Sequence, residues 1–305
     1  MVTALDGKKG LFVLQIGAPI PKTPTKMPLF GDVPSVVAMS KNSEWVAAGS
    51  DQGAVMAWRK GSNGTPSIFY GPGPERRAFG SKVDALGFTG DFSAELLAAS
   101  GTSVREWQPV FGDTWKAGRA LTAEGPVLGF SAVGKDRWVV ATVANRGLTA
   151  WEGTAGGVGG SPLEGSIKEF KKGVAWGNFF DARYAALGAD GKFGFWDGQR
   201  ASKIEPEADQ PAAADLDFNK DGNLLAVGHA DGSVGLWHVG DGFRRNASGP
   251  KQAVRITEHG GPVIATTWSP DGKDLATVDR TGRVRVWGGM KIDPPGAVPY
   301  TMKAP

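Results

Sequence analysis

The stretch from Gly261 to Trp287 decides the fold, because it has the pattern of three short strands joined by two tight turns. Its parts are GPVIATTW (261–268), the turn SPDG (269–272), KDLATVDR (273–280), the turn Thr281-Gly282, and RVRVW (283–287). Short alternating strands joined by Gly-containing turns are typical of antiparallel hairpins. The stretch therefore predicts a three-stranded antiparallel unit that ends in a tryptophan.

The same unit recurs along the chain. The fifth copy contains AADLDFN, NLLAVGHA and SVGLW, and the fourth contains GVAWGNFF, ARYAALGA and KFGFW. Six terminal tryptophans follow one another at intervals of 41 to 50 residues: Trp58, Trp107, Trp151, Trp196, Trp237 and Trp287. A repeat of this length is typical of propellers, solenoids and arrays. The sequence shows no comparable 3.6-residue period, so we predict an all-β repeat fold.

These units resemble the WD40 repeat family over about residues 6–290. The resemblance is carried by Asp-Gly before the third strand, the terminal Trp, the Ser-Pro-Asp-Gly turn, and small residues in the second strand such as Ala47-Ala48-Gly49. His259-Gly260 stands where the family has Gly-His. Kelch-style Gly-Gly doublets in register and aspartate-box spacing are absent from the sequence. The resemblance implies a β-propeller of four-stranded blades, as a single domain over residues 1–305.

The resemblance also implies a hydrogen-bond network of Asp, His, Ser or Thr, and Trp within a blade. With the turn aspartate expected six residues before the tryptophan, the sequence offers Gln52, Gly101, Asn145, Asp190, Asp231 and Thr281. We therefore predict that no blade forms the full network, and that His259, Thr277 and Trp287 form a partial one. Stability should then rest mainly on apolar packing between blades, with roughly 1.5–3 kcal/mol for each large buried side chain.

Closure of the ring depends on the two termini. The segment from Asp6 to Phe12 superposes on that from Asp231 to Trp237, so Phe12 is predicted to be a seventh tryptophan equivalent on a third strand. The segment after Trp287 has room for one outer strand and one inner strand, AVPYTMK, which leaves this blade short by about one strand. The blade is then incomplete or completed by a partner, or else six blades close and residues 1–12 lie outside.

We favour seven blades, with the last one split across the termini, over the alternative of six. Pairing the ends of the chain would remove exposed sheet edges. Six complete repeats then occupy about residues 31–287, and residues 1–30 and 288–305 close the ring.

The composition and motifs argue against most kinds of catalytic site, metal site and phosphate-binding site. The chain has no Cys and three His, which excludes thiol chemistry and makes a multi-histidine metal site implausible. The loop from Asp217 to Gly222 resembles the start of an EF-hand, but Gly228 stands where the bidentate Glu is needed, so a turn is the simpler interpretation. Glycine-rich residues 153–160 lack the Lys-Ser/Thr of a phosphate-binding loop. We expect no catalytic residues, metal site, cofactor or small-molecule ligand.

The sequence shows neither a signal-peptide pattern nor an apolar stretch of about 18 residues, so we expect no membrane span. This favours the cytoplasm or another intracellular compartment.

The loops are the basis for predicting function, because binding residues usually lie on loops that a rigid scaffold holds in place. The family implies that the links between blades and the turns between second and third strands share one face of the propeller. That face would gather Gln52, Arg76, Arg77, Arg146, Lys171, Lys172, His259 and Arg280. We predict a non-catalytic scaffold, a subunit of a larger assembly, that docks proteins on this face or by strand addition to the incomplete blade.

Two other functions stay open. A nucleic-acid-binding module would use the basic residues near aromatic ones, such as Arg76-Arg77 beside Phe79, but 34 basic and 31 acidic residues nearly cancel. An enzyme would use the central channel, and convergent carboxylates there would favour it.

Overall fold

The structure of the protein is a computed structural model. The structure describes residues 2–6, 10–14, 25–27, 32–40, 42, 44–59, 67–69, 77–89, 95–111, 114–133, 138–143, 147–152, 162–163, 170–177, 182–197, 200–204, 210–239, 251–269 and 271–288. Within these ranges every regular element is a β-strand. The chain forms two compact units, Met1–Ser161 and Pro162–Pro305.

The first unit contains fourteen of the described strands. They are β1 (Val2–Asp6), β2 (Gly10–Leu14), β3 (Thr25–Met27), β4 (Pro34–Met39), β5 (Trp45–Ser50), β6 (Val55–Arg59), β7 (Ser67–Phe69), β8 (Ala85–Thr89), β9 (Glu95–Ser100), β10 (Ser103–Phe111), β11 (Thr114–Thr122), β12 (Val127–Val133), β13 (Trp138–Val143) and β14 (Gly147–Glu152).

The second unit contains the other twelve. They are β15 (Pro162–Leu163), β16 (Phe170–Gly177), β17 (Ala182–Gly188), β18 (Phe193–Asp197), β19 (Arg200–Ile204), β20 (Ala213–Phe218), β21 (Leu224–His229), β22 (Val234–His238), β23 (Lys251–Ile256), β24 (Val263–Trp268), β25 (Leu275–Asp279) and β26 (Val284–Trp287).

These strands form seven small sheets in the described part of the chain. Five have four strands, in the orders β4-β5-β6-β7, β8-β9-β10-β11, β12-β13-β14-β15, β16-β17-β18-β19 and β20-β21-β22-β23. Two have three strands, β1-β2-β3 and β24-β25-β26. Each sheet joins strands that are consecutive in the sequence, which is the architecture of a β-propeller blade. The predicted all-β propeller of four-stranded blades is thus confirmed.

The six tryptophans occupy equivalent places in six sheets. Each lies on the third strand and faces a residue near the start of the second strand: Val46 pairs with Trp58, Leu96 with Trp107, Val139 with Trp151, Tyr184 with Trp196, Leu225 with Trp237, and Leu275 with Trp287. The side chains of Trp58, Trp107, Trp237 and Trp287 are buried. Those of Trp151 and Trp196 lie outside the described part of the structure.

The hairpins follow from the turn residues. Gly232 and Gly282, in the turns between second and third strands, have φ of 87° and 83°. This left-handed region is open to glycine and strained for other residues, so the glycines allow the chain to reverse within two residues. The second strands that enter these turns are almost wholly buried, as the six buried residues of β21 show.

Close packing between neighbouring sheets explains why small residues recur in the second strands. A Cβ added at Gly49 would lie 2.6 Å from Val83, and one added at Gly228 would lie 2.6 Å from Val263. Val263 begins the first strand of the following sheet, and Val83 lies two residues before the first strand of its following sheet. Small residues in the second strand therefore let the next sheet approach, which is the packing role that the repeat pattern requires.

The N-terminal sheet corrects one prediction. The chain was expected to enter this blade on a third strand, yet β1 pairs antiparallel with β2, and β2 pairs with β3. Phe12 does lie on the middle strand, opposite Ala4. The N-terminal segment thus contributes three strands, one more than predicted, because five residues before Asp6 suffice for a strand. The inner strand predicted in 297–303 lies outside the described residues, so the split blade and the single domain stay predictions.

Candidate functional site

The turns between second and third strands lie at the same end of each sheet as the start of its first strand. The same backbone bond shows this in three sheets: the amide of Asp51 donates to Val33, that of Ala230 to Ala212, and that of Arg280 to Pro262. We call this end the upper end of a sheet. Predicted contact residues such as Gln52 and Arg280 lie in these turns.

A four-residue network holds the upper end of the last sheet. The indole Nε1 of Trp287 lies 3.1 Å from Oγ1 of Thr277, Nε2 of His259 lies 2.7 Å from the same oxygen, and Nδ1 of His259 lies 3.1 Å from Oδ2 of Asp279. All four side chains are buried. With a neutral imidazole, the bonds run in one direction: Trp287 donates to Thr277, Thr277 to His259, and His259 to Asp279.

The aspartate also fixes the turn that follows it. Oδ1 of Asp279 accepts the hydroxyl of Thr281 and the backbone amides of Thr281 and Arg283, at 2.9 and 3.1 Å. Hydrogen bonds to a carboxylate favour its ionised form, so the hydroxyl of Thr281, with these amides, holds the pKa of Asp279 well below its usual range. The carboxylate of Asp279 therefore connects this turn to the buried network through hydrogen bonds.

The prediction that no sheet forms the full network is wrong. It placed the aspartate six residues before the tryptophan, at Thr281, whereas Asp279 lies eight residues before Trp287. Asp279 ends the second strand and opens the turn. The missing member was therefore present two residues earlier in the sequence.

The first four-stranded sheet holds its upper end by other residues. Ser50 stands at the position of Asp279, and its hydroxyl oxygen accepts the amides of Gln52 and Ala54 at 3.2 and 2.9 Å. The same hydroxyl donates to Asp32 at 3.0 Å, and Arg77 lies 2.7 Å from that carboxylate. Ser50, Asp32 and Arg77 thus fix the turn of this sheet by hydrogen bonds. Asp279 and His259 have that role in the last sheet.

The predicted contact residues fall into three groups. Exposed side chains belong to Gln52, Lys171 and Arg280. Three others have partners within the chain: Arg77 with Asp32 and the carbonyl of Gln52, Lys172 with Asp215 at 2.6 Å, and buried His259 in its network. Arg76 and Arg146 lie outside the described residues. Within the second unit, Lys171, Lys172, His259 and Arg280 all lie at upper ends of sheets.

Sequence reasoning missed a polar seam between β20 and β24, the first strands of adjacent sheets. One carboxylate oxygen of Asp215 pairs with Lys172, while the other accepts the amide of Thr266 at 2.7 Å. Asp217 accepts the amide of Trp268 at 3.1 Å. Burial raises the pKa of Asp217 to about 6, against the opposing effect of the Lys172 charge. Alternation of Asp215 and Asp217 on one strand was the available signal, but Asp217 was predicted to lie in a turn and Asp215 was not singled out.

These carboxylates have a structural use. Each accepts a backbone amide on the edge of β24, an edge that would otherwise present unpaired donors. Among the described residues, no group of three or more His, Asp or Glu side chains is arranged to hold a metal ion. The described residues also contain no helix long and apolar enough to cross a membrane.

Comparison with known protein families agrees with the β-propeller architecture and with the hydrogen-bond network of the last sheet. Residues 250–288, which contain β24 to β26 and the complete network, match the family model described as WD domain, G-beta repeat. This part of the chain is thus similar to a WD40 repeat. Residues 195–254 match a second WD40 model, described as the anaphase-promoting complex subunit 4 WD40 domain.

Similar WD40 segments occur in larger proteins. The chain is 41% identical over 91 residues to Topless-related protein 3 of Arabidopsis thaliana, which covers 27% of this chain and 8% of that protein. It is 29% identical over 123 residues to human Coronin-7, covering 37% and 12%. It is 32% identical over 78 residues to bovine DNA damage-binding protein 2, covering 25% and 17%. The chain thus spans less than a fifth of the relatives that it matches.

Proposed function

We propose that this WD40-repeat protein is a non-catalytic interaction scaffold, a subunit of a larger assembly, which binds a protein partner through the upper ends of its sheets. The observation that carries the proposal is the setting of Arg280. Its side chain is exposed, while its backbone amide donates to Pro262 at 2.8 Å and the turn around it is fixed by Asp279.

A fixed turn with an exposed side chain is suited to recognition. Binding costs less when the contacting residues are already held in place, because less conformational freedom is lost on association. Gln52 has the same setting in the first four-stranded sheet, where Ser50 accepts its amide and its side chain is exposed. Both turns carry polar side chains, which set the specificity and the rate of association more than raw affinity.

The relatives agree with a role in assemblies. One matching model is named for a subunit of the anaphase-promoting complex. A mouse relative, 33% identical over 102 residues, is named telomerase protein component 1. WD40 propellers are typically non-catalytic, and fold alone does not assign a partner.

The enzyme alternative has one observation in its favour, the meeting of Lys172, Asp215 and Asp217 on first strands. Their contacts weigh against catalysis, because Asp215 and Asp217 each accept a backbone amide of β24. Carboxylates engaged in this way stabilise a sheet edge, and we assign them that role.

Affinity isolation with matched variants tests the proposal. Arg280→Glu reverses an exposed charge at the upper end of the last sheet, and Lys273→Glu reverses an exposed charge at the opposite end of the same sheet. We expect at least one protein to copurify stoichiometrically with the wild type and with Lys273→Glu, and to be lost from Arg280→Glu or from Lys171→Glu. Purification of the wild type without a stoichiometric partner, or equal recovery with all variants, would contradict the proposal.

A further inference from the structure

His229 is a fully buried imidazole at the upper end of the sheet formed by β20 to β23. The residue is 0% exposed, and its ring centroid lies 6.3 Å from that of Phe193 in the preceding sheet. Nδ1 lies 2.9 Å from the carbonyl oxygen of Pro211. A carbonyl only accepts hydrogen bonds, so Nδ1 carries the hydrogen of the neutral ring and donates it. Nε2 is buried and has no hydrogen-bond partner among the described residues. A second proton on this ring would therefore occupy a buried nitrogen without an acceptor, which is costly.

The backbone of His229 holds the turn between β21 and β22. The amide of His229 donates to the carbonyl of Ser233 at 2.8 Å, and the amide of Gly232 donates to the carbonyl of His229 at 3.1 Å. The amide of Ala230 donates to the carbonyl of Ala212 at 2.8 Å, directly beside the bond that the imidazole makes. Side chain and backbone thus join this turn to the segment that leads into β20.

The turn presents an ion pair at the surface. Asp231 is exposed, and its Oδ1 accepts the amide and the hydroxyl of Ser233 at 2.9 and 2.6 Å. Its other carboxylate oxygen accepts Arg255 of β23. The position of this pair depends on the turn, and the turn is joined to the sheet through His229.

The equivalent residues of two other sheets cannot change charge near neutral pH. His229 lies opposite the first residue of β20, as Asp279 lies opposite the first residue of β24 and Ser50 opposite the first residue of β4. The hydrogen bonds that hold the pKa of Asp279 well below its usual range keep it ionised, and a serine does not ionise. Histidine is the side chain whose ordinary titration falls between pH 5 and 8.

The buried site disfavours a charged imidazole. Burial lowers the pKa of His229, and the charge of Arg255 acts in the same direction, while the carbonyl of Pro211 and the charge of Asp231 act in the opposite one. Asp231 and Arg255 are the charged groups of the described residues that act on this ring. In an opened turn the imidazole returns to its ordinary pKa of about 6.5. The open form then binds a proton that the closed form does not, so opening becomes more favourable as pH falls below about 6.5.

We propose that His229 is an acid-sensitive switch, which keeps the turn between β21 and β22 closed at neutral pH and opens it in mild acid. The neutral ring donates to Pro211 from its buried site, whereas the protonated ring leaves that site for solvent. The surface around Asp231 and Arg255 is then present at neutral pH and lost in mild acid, while the equivalent turn of the last sheet stays closed. The inference concerns the chain alone, so it does not depend on the binding of a partner.

Amide hydrogen exchange of the wild-type chain, measured by NMR and corrected for the intrinsic effect of pH, tests the proposal. The amides of Ala230 and Gly232 report on the switch, and those of Arg280 and Gly282 make the equivalent bonds in the last sheet. An exposed histidine is about 90% protonated at pH 5.5. We therefore expect the protection of Ala230 and Gly232 to fall about tenfold between pH 7.5 and 5.5, and that of Arg280 and Gly282 to change less than about twofold. Unchanged protection at Ala230, or an equal loss in both turns, would overturn the proposal.

His229→Asn removes the titrating group. An asparagine amide can donate from about the position of Nδ1, and it does not titrate in this range. We expect H229N to keep the protection of Ala230 at pH 7.5 and to lose the fall at pH 5.5. His238→Asn removes a second histidine of the same sheet and should retain the fall. A fall that persists in H229N, or one that disappears in H238N, would contradict the role of His229.

An NMR titration of the wild-type imidazole keeps the test decisive if H229N does not fold. The Cε1 proton of His229 should titrate with a midpoint below about 6.5, together with the loss of protection at Ala230. Asp217 of the same sheet cannot produce this loss, because its raised pKa makes acid stabilise the folded chain. A midpoint at or above 6.5, with the turn still protected, would show that the charged ring is accommodated and would refute the switch.

Discussion

Thr277 and His259 are joined at 2.7 Å, and the same threonine oxygen accepts the indole of Trp287 at 3.1 Å. This hydroxyl is the link between the tryptophan that marks the repeat and the histidine that precedes the first strand. Through Asp279, the link continues into the turn that carries Arg280. A buried side chain thus determines the position of an exposed one.

Thr277→Val should test the strength of this link. The substitution keeps the shape and leaves the indole of Trp287 and one nitrogen of His259 without their partner. A buried polar group left unsatisfied costs about 1–3 kcal/mol, so the free energy of unfolding should fall by that amount. Chemical denaturation measures it. Thr277→Ser, which keeps the hydroxyl, is the control and should lose less. Equal stability of Thr277→Val and wild type would contradict a network that supports the sheet.

Val227→Thr, in the preceding sheet, should raise the free energy of unfolding, whereas Thr277→Val should lower it. Val227 lies ten residues before Trp237, as Thr277 lies ten residues before Trp287, and both face the equivalent residue of the third strand. The indole nitrogen of Trp237 is buried and has no hydrogen-bond partner among the described residues.

A hydroxyl at position 227 should accept that indole and raise the free energy of unfolding by about 1 kcal/mol. Thermal and denaturant unfolding of the variant, with Val227→Ala as a control for lost methyl groups, measure the change. A threonine variant that is as unstable as the alanine variant would show that the two sheets are not equivalent at this position.

The seam at Asp217 predicts a pH dependence. The pKa of Asp217 is raised to about 6 by burial, so the folded protein binds a proton that the unfolded chain has already released above its ordinary pKa of about 4. Stability from this group is therefore greatest below pH 4 and falls as pH rises from about 4 to 6.

Asp217→Asn should remove that slope and raise the free energy of unfolding at pH 7 relative to wild type, by about 1–3 kcal/mol, because a neutral amide avoids the cost of burying a carboxylate. Denaturation curves at pH 4, 5, 6 and 7 measure it. The exposed Asp221→Asn variant is the control and should retain the wild-type slope between pH 4 and 6. An unchanged or steeper slope for Asp217→Asn between pH 4 and 6 would contradict the raised pKa.

The ion pair of Arg77 with Asp32 should stabilise the first unit by a small amount. It lies 2.7 Å from Asp32, whose side chain is 9% exposed, and the guanidinium is itself 31% exposed. Arg77→Ala should lower the free energy of unfolding by about 1 kcal/mol, since partly exposed pairs contribute little. A double-mutant cycle with Asp32→Asn measures the coupling, and near-additive losses would show that the pair contributes nothing.

Much of the fold could be predicted from the sequence, because each repeat is local. The spacing from the second strand to Trp237 or Trp287 is set by a hairpin, and hairpins depend on adjacent residues. The positions of the six tryptophans on third strands were therefore predictable. The first strand of the N-terminal sheet was missed, because Val2–Asp6 is short and no tryptophan follows it in register.

The candidate site was less predictable, because its contacts join distant residues. Asp215 reaches Thr266 across 51 residues, and no local pattern indicates which strand lies beside β20. Asp279 was overlooked for a simpler reason, since the family spacing was counted to the turn rather than to the end of the second strand.

The central claim is that a protein partner docks at the upper ends of these sheets. An electron cryomicroscopy structure of the affinity-isolated assembly would test it most directly. We expect partner density in contact with the turn that contains Arg280, and free solvent around Lys273 at the opposite end. Partner density confined to the end of the sheet near Lys273 would contradict this account of the protein.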